Sequence, residues 1–240
     1  NPFEFIKTNI DGSQNVIDVS MDEKVDICLG VSSDKAVSPL NLYGATKLSM
    51  EKLFVAANYY KGKKNTIFTC VRYGNVLGSN GSVVPKFVNQ IQNKKLITVT
   101  DDNMTRFNIN MDDAIELIFT ALKLGKGSEI FIPKLKSYKL KDIIKAFQEI
   151  SKIKFKVQKI PVRMGEKYDQ LLLNEYEIPY TVETKDLYVL FPPSPEDFLK
   201  SKKLYPTSKL LKLESYSSGN AELLSVTELK NILIKHNFVP

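Results

Sequence analysis

Histidine, cysteine and tryptophan are scarce in this 240-residue sequence, which has one histidine, two cysteines and no tryptophan. One histidine and two separated cysteines exclude a histidine-rich metal site, and we predict no bound metal. Cys28 and Cys70 each lie in an apolar, strand-like run, which is typical of a buried free thiol in a reducing compartment. His236 lies among apolar residues, and we expect a structural or surface role for it.

The sequence also has no apolar run of about 18 residues, so we expect no membrane span in this segment. It opens without the charged-then-apolar pattern of a signal peptide, which favours a cytoplasmic protein. A net charge of +7 would suit nucleic-acid binding. The lysines are scattered, however, and no basic stripe is interleaved with aromatic residues. A phosphate-bearing small molecule is therefore favoured as the partner over nucleic acid.

Helical and strand-like patterns alternate in the first part of the chain. Apolar residues recur at helical spacing in 3–23 and in 42–62, and β-branched apolar runs at 24–33 and 65–73 predict buried parallel strands. This rhythm predicts an α/β fold with a doubly wound, Rossmann-like parallel sheet. We assign 1–84 to a nucleotide-binding domain with the catalytic segment. A smaller mixed α/β lobe and tail, 85–240, would bind substrate.

The segment "SSDKAVSPLNLYGATK", residues 32–47, combines several ionisable side chains. Tyr43 and Lys47 are four residues apart near the start of a predicted helix and so share one face. A nearby ammonium lowers the pKa of a phenol, which makes a base for a sugar hydroxyl. Such pairs also recur by chance as exposed helix pairs. Ser33 follows a buried strand, at the end where open α/β sheets place their sites.

Ser33, Tyr43 and Lys47, in this strand-then-helix order, resemble the signature of the extended short-chain dehydrogenase/reductase family. That resemblance implies a nicotinamide cofactor, NADP with NAD not excluded, and Lys47 as a ligand of its ribose. The Asp34–Lys35 pair resembles the inverting UDP-N-acetylglucosamine 4,6-dehydratases of polysaccharide and pseudaminic acid biosynthesis. There Lys35 would remove the C5 proton and Asp34 would protonate the departing O6, on a UDP-sugar substrate. The alternative is a solvated pair in a loop.

Three later segments extend the resemblance over nearly the whole chain. "VRYGNVLGSNGSVVPKF" is similar to the family's RYGNV-GS-GSVVP segment, "TDDNMTRFNI" to TD-RMTRFWI, and "VRMGEK" to IRPGEK. Glycines 74, 78 and 81 allow a ligand to approach the backbone closely. The resemblance implies cofactor contacts from Ser32, Ser33, Tyr43, Lys47, Tyr73 and Val76, and substrate contacts from Asn75, Ser82, Val83, Val84, Arg106, Arg163 and Glu166. Arg106 and Arg163 would bind the diphosphate, and Glu166 the ribose hydroxyls.

Some positions depart from the family pattern. Met164 replaces a proline, Asp169 a histidine and Asn108 a tryptophan, which puts details of substrate binding in question. The Gly-rich loop that would hold the cofactor's pyrophosphate is not found, so we expect that an N-terminal part of the sheet is missing. Three interpretations remain: a 4,6-dehydratase acting as a homo-oligomer, a UDP-sugar 4-epimerase, or a non-catalytic remnant that binds a UDP-sugar or a partner chain.

Overall fold

A computed structural model describes residues 1–192 and 194–239; Pro193 and Pro240, both in the predicted second domain, lie outside the described residues. Among the described residues no helix combines the length and apolar content needed to cross a bilayer. The α-helices are α1 (Pro2–Ile6), α2 (Gly12–Asp22), α3 (Leu42–Tyr60), α4 (Val83–Gln92), α5 (Met111–Leu124), α6 (Leu140–Ser151), α7 (Pro195–Lys202) and α8 (Val226–Lys235). The strands are β1 (Ile27–Ser33), β2 (Ile67–Tyr73), β3 (Ile97–Val99), β4 (Thr105–Phe107), β5 (Ile130–Pro133), β6 (Ser137–Lys139), β7 (Val157–Lys159), β8 (Leu171–Leu173), β9 (Thr181–Glu183), β10 (Leu187–Leu190), β11 (Lys209–Leu210) and β12 (Tyr216–Ser217).

The chain divides into two compact units, each built from several stretches of sequence. The first unit comprises Asn1–Tyr73, Asp112–Lys134 and Leu171–Tyr216. The second comprises Gly74–Met111, Leu135–Gln170 and Ser217–Pro240. The sequence-based division at residue 84 treated each part as continuous, because periodicity along the chain does not show which distant segments pack together. The assignment of nucleotide binding to one part and substrate binding to the other stays a prediction.

A six-stranded sheet forms the centre of the first unit, in the order β1-β2-β5-β10-β9-β11. Strands β1, β2 and β5 are parallel, which confirms the predicted α/β fold with a parallel sheet. Strands β10, β9 and β11 extend it in antiparallel pairing. This half was not predicted, because the chain beyond residue 180 shows little periodicity and its longest strand lies next to prolines.

Side chains alternate along β2 and connect helices to both faces of this sheet. Phe68 meets the Phe54 ring of α3 edge-on, with ring centroids 6.2 Å apart. Val71 faces the other way and packs in a core with Leu117 of α5 and Phe131 of β5. The sheet is therefore covered by helices on both faces, as the near-continuous apolar character of β1 and β2 predicts.

The second unit is a smaller α/β assembly around α4, α6 and α8. Its core includes Phe87, Ile143, Phe147 and Leu229. Two short strand pairs flank it: β3 is parallel to β7, and β4 is antiparallel to β6. Helix α8 begins at a capping box in which Ser225 and residue 228 exchange hydrogen bonds.

Candidate functional site

The carboxyl end of β1 leads directly into a tight group of polar side chains. Ser33 caps a 3-10 turn, Asp34–Ala36, by accepting a hydrogen bond from the Lys35 backbone N–H at 3.2 Å. The Ser33 hydroxyl donates to Asp34 Oδ1 at 2.8 Å, and the Lys35 Nζ lies 3.0 Å from the same oxygen. The Asp34 side chain is 4% exposed and that of Lys35 36% exposed. The two residues therefore form an ordered ion pair with a buried carboxylate, and not a solvated pair in a loop.

Helix α3 begins close to this turn because of two residues in its first turn. Asn41 caps the helix, its Oδ1 accepting from the Gly44 N–H at 2.9 Å. Gly44 packs so closely on the 3-10 turn that a Cβ there would overlap the Lys35 carbonyl oxygen and lie 3.0 Å from the Pro39 Cβ. Only glycine fits this approach. The turn that carries Asp34 and Lys35 is thereby held against the turn that carries Tyr43.

Tyr43 is half-buried, and its surroundings differ from the sequence-based expectation. Burial and then the Asp34 carboxylate raise the pKa of the Tyr43 phenol above 10.0. Phe5 of α1 contacts the phenol ring edge-on, with ring centroids 5.5 Å apart. We expected Lys47 to lower this pKa. In this structure the nearby charge that acts on the phenol is the negative one of Asp34, so the phenol stays protonated at neutral pH.

Lys47 points back to the strand that precedes the site. Its Nζ donates to the Val31 carbonyl at 3.0 Å and lies 3.9 Å from the Met50 sulfur. Burial lowers the pKa of the Lys47 ammonium, whereas Cys70 and Glu51 raise it. An ammonium that donates to a carbonyl and, weakly, to a thioether sulfur has one further N–H for a ligand hydroxyl.

Two further predicted cofactor contacts lie at the ends of β1 and β2. The Ser32 hydroxyl is buried and finds no hydrogen-bond partner among residues 1–192 and 194–239. Tyr73 ends β2 and packs against the core of the first unit, and burial raises the pKa of its phenol. An orphaned hydroxyl near the carboxyl end of β1 fits a polar ligand such as a nicotinamide nucleotide.

The second unit holds the other predicted contacts. Gly78 and Gly81, both with positive φ of 78° and 77°, shape the loop that leads into α4. The Ser82 hydroxyl at the N-terminus of α4 is buried, and no described residue bonds to it. Asn75 is exposed, whereas Val76 is half-buried and forms a bridge with Ile109.

Val83 and Val84 start helix α4 with different exposures. Val83 is half-buried, and the Val84 side chain is fully buried in the core of the second unit. Since that side chain packs against other apolar residues, only the backbone of Val84 can face a ligand.

Arg106 and Glu166 form an ion pair in the second unit, with Nη2 and Oε1 3.0 Å apart. Arg106 Nη1 also donates to the Thr105 and Tyr168 carbonyls at 2.7 and 3.1 Å. Glu166 Oε2 accepts from the backbone N–H of the exposed Arg163 at 3.4 Å. The structure thus brings these three predicted residues together, with the Arg106 guanidinium already engaged by Glu166.

Sequence reasoning missed several polar residues around both groups. Asn9, in the π-helical turn Lys7–Asp11, is buried and donates to Thr46 Oγ1 at 3.0 Å. Thr46 directly precedes Lys47 on α3. Lys86 of α4 donates to the Thr98 carbonyl at 3.1 Å. Burial and then Arg163 lower the pKa of the Lys86 ammonium, whereas Glu166 raises it. The local signal that could have indicated a functional role for Asn9 is an interruption of the helical pattern near residue 10.

These features define an α/β protein with the parallel-strand sheet of extended short-chain dehydrogenases/reductases. The family model described as "Polysaccharide biosynthesis protein" matches residues 1–192. The chain belongs to this family.

Relatives and a solved structure support this assignment. The chain is 44% identical over 193 residues to the UDP-N-acetylglucosamine 4,6-dehydratase (inverting) of Campylobacter jejuni, covering 80% of this chain and 57% of that protein. It is 34% identical over 239 residues to the UDP-glucose 4-epimerase of Rickettsia conorii, covering 99% and 70%. The crystal structure of Pen from Bacillus thuringiensis superposes with a TM-score of 0.85 at 40% identity, covering 98% and 70%. The chain thus spans between 57% and 70% of the length of these proteins.

Proposed function

We propose that this protein catalyses the inverting 4,6-dehydration of UDP-N-acetylglucosamine to a UDP-4-keto-6-deoxy-hexosamine, with tightly held NADP as cofactor. The observation that carries the proposal is the ordered Ser33–Asp34–Lys35 group beside Tyr43. Elimination of the 6-hydroxyl needs an acid and a base in addition to the group that serves C4, and this pair supplies both. The 44% identity to an inverting dehydratase supports the same reaction.

In the proposed reaction Tyr43 must first lose its phenol proton; as the phenolate it accepts the proton of the C4 hydroxyl, and Ser33 donates a hydrogen bond to the same oxygen. The nicotinamide, when bound, supplies the hydride chemistry at C4 and C6. Transfer of a proton from Lys35 to Asp34 along their 3.0 Å hydrogen bond would leave a neutral amine and a carboxylic acid. Lys35 then removes the C5 proton, which the C4 ketone acidifies, and Asp34 protonates O6 so that water leaves. A proton is then returned to C5 from the opposite face, which inverts that centre.

The electrostatics of the site couple two of these steps. The Asp34 carboxylate raises the pKa of Tyr43, which disfavours the phenolate. When Asp34 carries the proton that it later gives to O6, this negative charge is gone. The state in which Asp34 is ready to act as an acid is therefore also the state in which Tyr43 is the better base.

Cofactor and substrate would be held by separate groups of side chains. In the first unit, Lys47, Tyr43 and the orphaned Ser32 hydroxyl are candidates for contacts to the nicotinamide ribose. In the second unit, Arg106 and Arg163 are candidates for the diphosphate, because a guanidinium matches phosphate oxygens with paired hydrogen bonds. We further propose a cytoplasmic homo-oligomer. Exposed apolar side chains on the first two helices, such as Phe3 and Val19, support self-association.

A UDP-sugar 4-epimerase is the second candidate. The observation in its favour is the 34% identity, over 99% of this chain, to the Rickettsia epimerase. Epimerisation at C4 needs the tyrosine and the nicotinamide alone, which leaves the ordered Asp34–Lys35 pair without a chemical role. A protein that binds a UDP-sugar without turnover is the third.

Proton NMR of the reaction in heavy water separates the three candidates. The protein is incubated with UDP-N-acetylglucosamine and NADP, and we expect a C6 methyl signal with deuterium at an inverted C5. Asp34→Asn and Lys35→Ala should abolish the methyl signal, and the exposed Lys63→Ala, as a matched control, should retain it. A product that keeps its C6 hydroxyl would establish epimerisation. Unchanged substrate, with UDP-sugar binding retained in calorimetry, would establish the non-catalytic alternative.

A further inference from the structure

A fully buried arginine lies behind the candidate catalytic helix. Arg72, in β2, has no solvent exposure, and all five of its guanidinium N–H donors are used. Nε and Nη2 donate to the two carboxylate oxygens of Glu51 at 2.8 and 2.6 Å. Nη1 and Nη2 donate to those of Glu177 at 3.0 and 2.9 Å, and Nη1 also to the Leu172 carbonyl at 2.9 Å.

This cluster joins three segments of the first unit. Glu51 lies on α3, Arg72 on β2, and Glu177 on the turn that follows β8. The Glu177 carboxylate also accepts from the Asn174 backbone N–H at 3.2 Å, which orders that turn. The two paired contacts fix both the distance and the orientation of each carboxylate, because the guanidinium fork is planar and rigid.

Glu51 is one helical turn beyond Lys47 and two turns beyond Tyr43, so the three share one side of α3. A shift or rotation of α3 that breaks the Glu51 contacts would move both Lys47 and Tyr43. Lys47 depends on this placement, since its Nζ reaches the Val31 carbonyl on the neighbouring strand at 3.0 Å.

Burial of such ions has no evident advantage for stability alone. Removing one guanidinium and two carboxylates from water is costly, and apolar side chains of similar volume often stabilise a core as well or better. Apolar contacts would let α3 shift along β2 more readily than paired hydrogen bonds do, because apolar contacts have no fixed direction. The cluster also carries one more negative than positive charge, so it is not a simple neutral pair.

We propose that Arg72, together with Glu51 and Glu177, is a positioning residue that fixes the register of α3 on β2 and thereby the places of Lys47 and Tyr43. Its importance for turnover rests on the proposed function. Its effect on the Lys47 amine does not, and can be measured in a chain that has no activity.

The first experiment measures the titration of Lys47 by competitive labelling with acetic anhydride and peptide mass spectrometry. Burial holds the pKa of Lys47 below its usual value of 10.5. Arg72→Lys keeps the charge but loses the fork, so we expect the Lys47 amine to leave its buried place and its pKa to rise toward 10.5. Glu177→Gln should shift it in the same direction by less. The matched control is Glu183→Gln on β9, which removes a carboxylate paired with Lys134. It should leave the labelling profile of Lys47 unchanged.

The second experiment is the kinetics of the same variants with UDP-N-acetylglucosamine. A displacement of about 1 Å costs about 10²-fold in rate, so we expect kcat of Arg72→Lys to fall by about 10- to 100-fold with KM within about twofold of the parent. Thermal unfolding identifies which variants are folded. If Arg72→Lys fails to fold, the Lys47 labelling profile and the kinetics of Glu177→Gln test the proposal instead.

The proposal is overturned if Arg72→Lys folds and its Lys47 titrates as in the parent. If Arg72→Lys does not fold, the same result with a folded Glu177→Gln overturns it. If the parent turns over no UDP-sugar, the proposed function fails, and the labelling result still decides whether Arg72 positions Lys47.

Discussion

The contact between Gly44 and the Lys35 carbonyl leads to a specific prediction about a single methyl group. Gly44→Ala places a Cβ where the Lys35 oxygen lies, with the Pro39 Cβ 3.0 Å away on the other side. The Lys35 oxygen is a backbone atom and cannot move aside by a side-chain rotation. The start of α3 and the 3-10 turn must therefore separate, by about 1 Å if a normal contact of about 3.5 Å is to be restored.

The expected magnitudes follow from this separation. Overpacking of this kind costs about 1 to 3 kcal/mol, offset by the gain of about 0.5 to 1 kcal/mol for alanine over glycine in a helix. We expect a net loss of up to about 2.5 kcal/mol in the free energy of unfolding. Because Tyr43 lies on one side of the contact and Asp34 on the other, we also expect kcat to fall by about 10²-fold.

Urea denaturation and the NMR assay of UDP-N-acetylglucosamine turnover measure the two effects. Gly12→Ala is the matched control. It makes the same change in α2, where the added Cβ would meet only the Lys7 carbonyl oxygen, at 3.3 Å. We expect its stability to stay within about 1 kcal/mol of the parent, since alanine also favours the helix. A Gly44→Ala protein with parental stability and activity would refute the argument that this close approach places the catalytic groups.

Two further predictions concern the pKa of Tyr43 and the start of α8. Asp34→Asn removes a negative charge that raises the pKa of the Tyr43 phenol, so this pKa should fall. Carbon NMR of protein with labelled tyrosines measures the pKa, and Tyr43→Phe assigns the signal. An unchanged or higher pKa would contradict the described electrostatics. Ser225→Ala removes the acceptor for the Glu228 N–H at 3.2 Å and should cost about 1 kcal/mol in urea denaturation. The neighbouring exposed Thr227→Ala should cost clearly less, and equal losses would argue against the cap.

The sequence predicts those parts of the fold that have strong local patterns. Strands β1 and β2 and helix α3 were expected from apolar runs and helical spacing, and they form where those patterns lie. Strand β10 was missed although all four of its residues are buried. A short apolar run beside prolines has no period to detect, and its place between β5 and β9 depends on pairing with distant segments.

The same distinction holds for the candidate site. Ser33, Asp34 and Lys35 are adjacent in sequence, so their proximity follows from local structure. The electrostatic effect on Tyr43 could not be predicted, because it depends on burial and on a turn brought close by Gly44. Arg72 and Glu177 are 105 residues apart. No local pattern indicates such a pair, and only the folded backbone brings them together.

The division of the chain into two discontinuous units has a consequence for how the protein folds. The backbone passes from one unit to the other five times, after residues 73, 111, 134, 170 and 216. Strand β5 cannot pair with β10 until the intervening chain of more than 50 residues has been accommodated. Formation of the sheet therefore depends on contacts of long sequence separation, which slow folding. No single truncation point isolates either unit. A deletion from residue 217 onward removes α8 from the second unit and leaves the first unit complete, but two stretches of the second unit stay inserted within it.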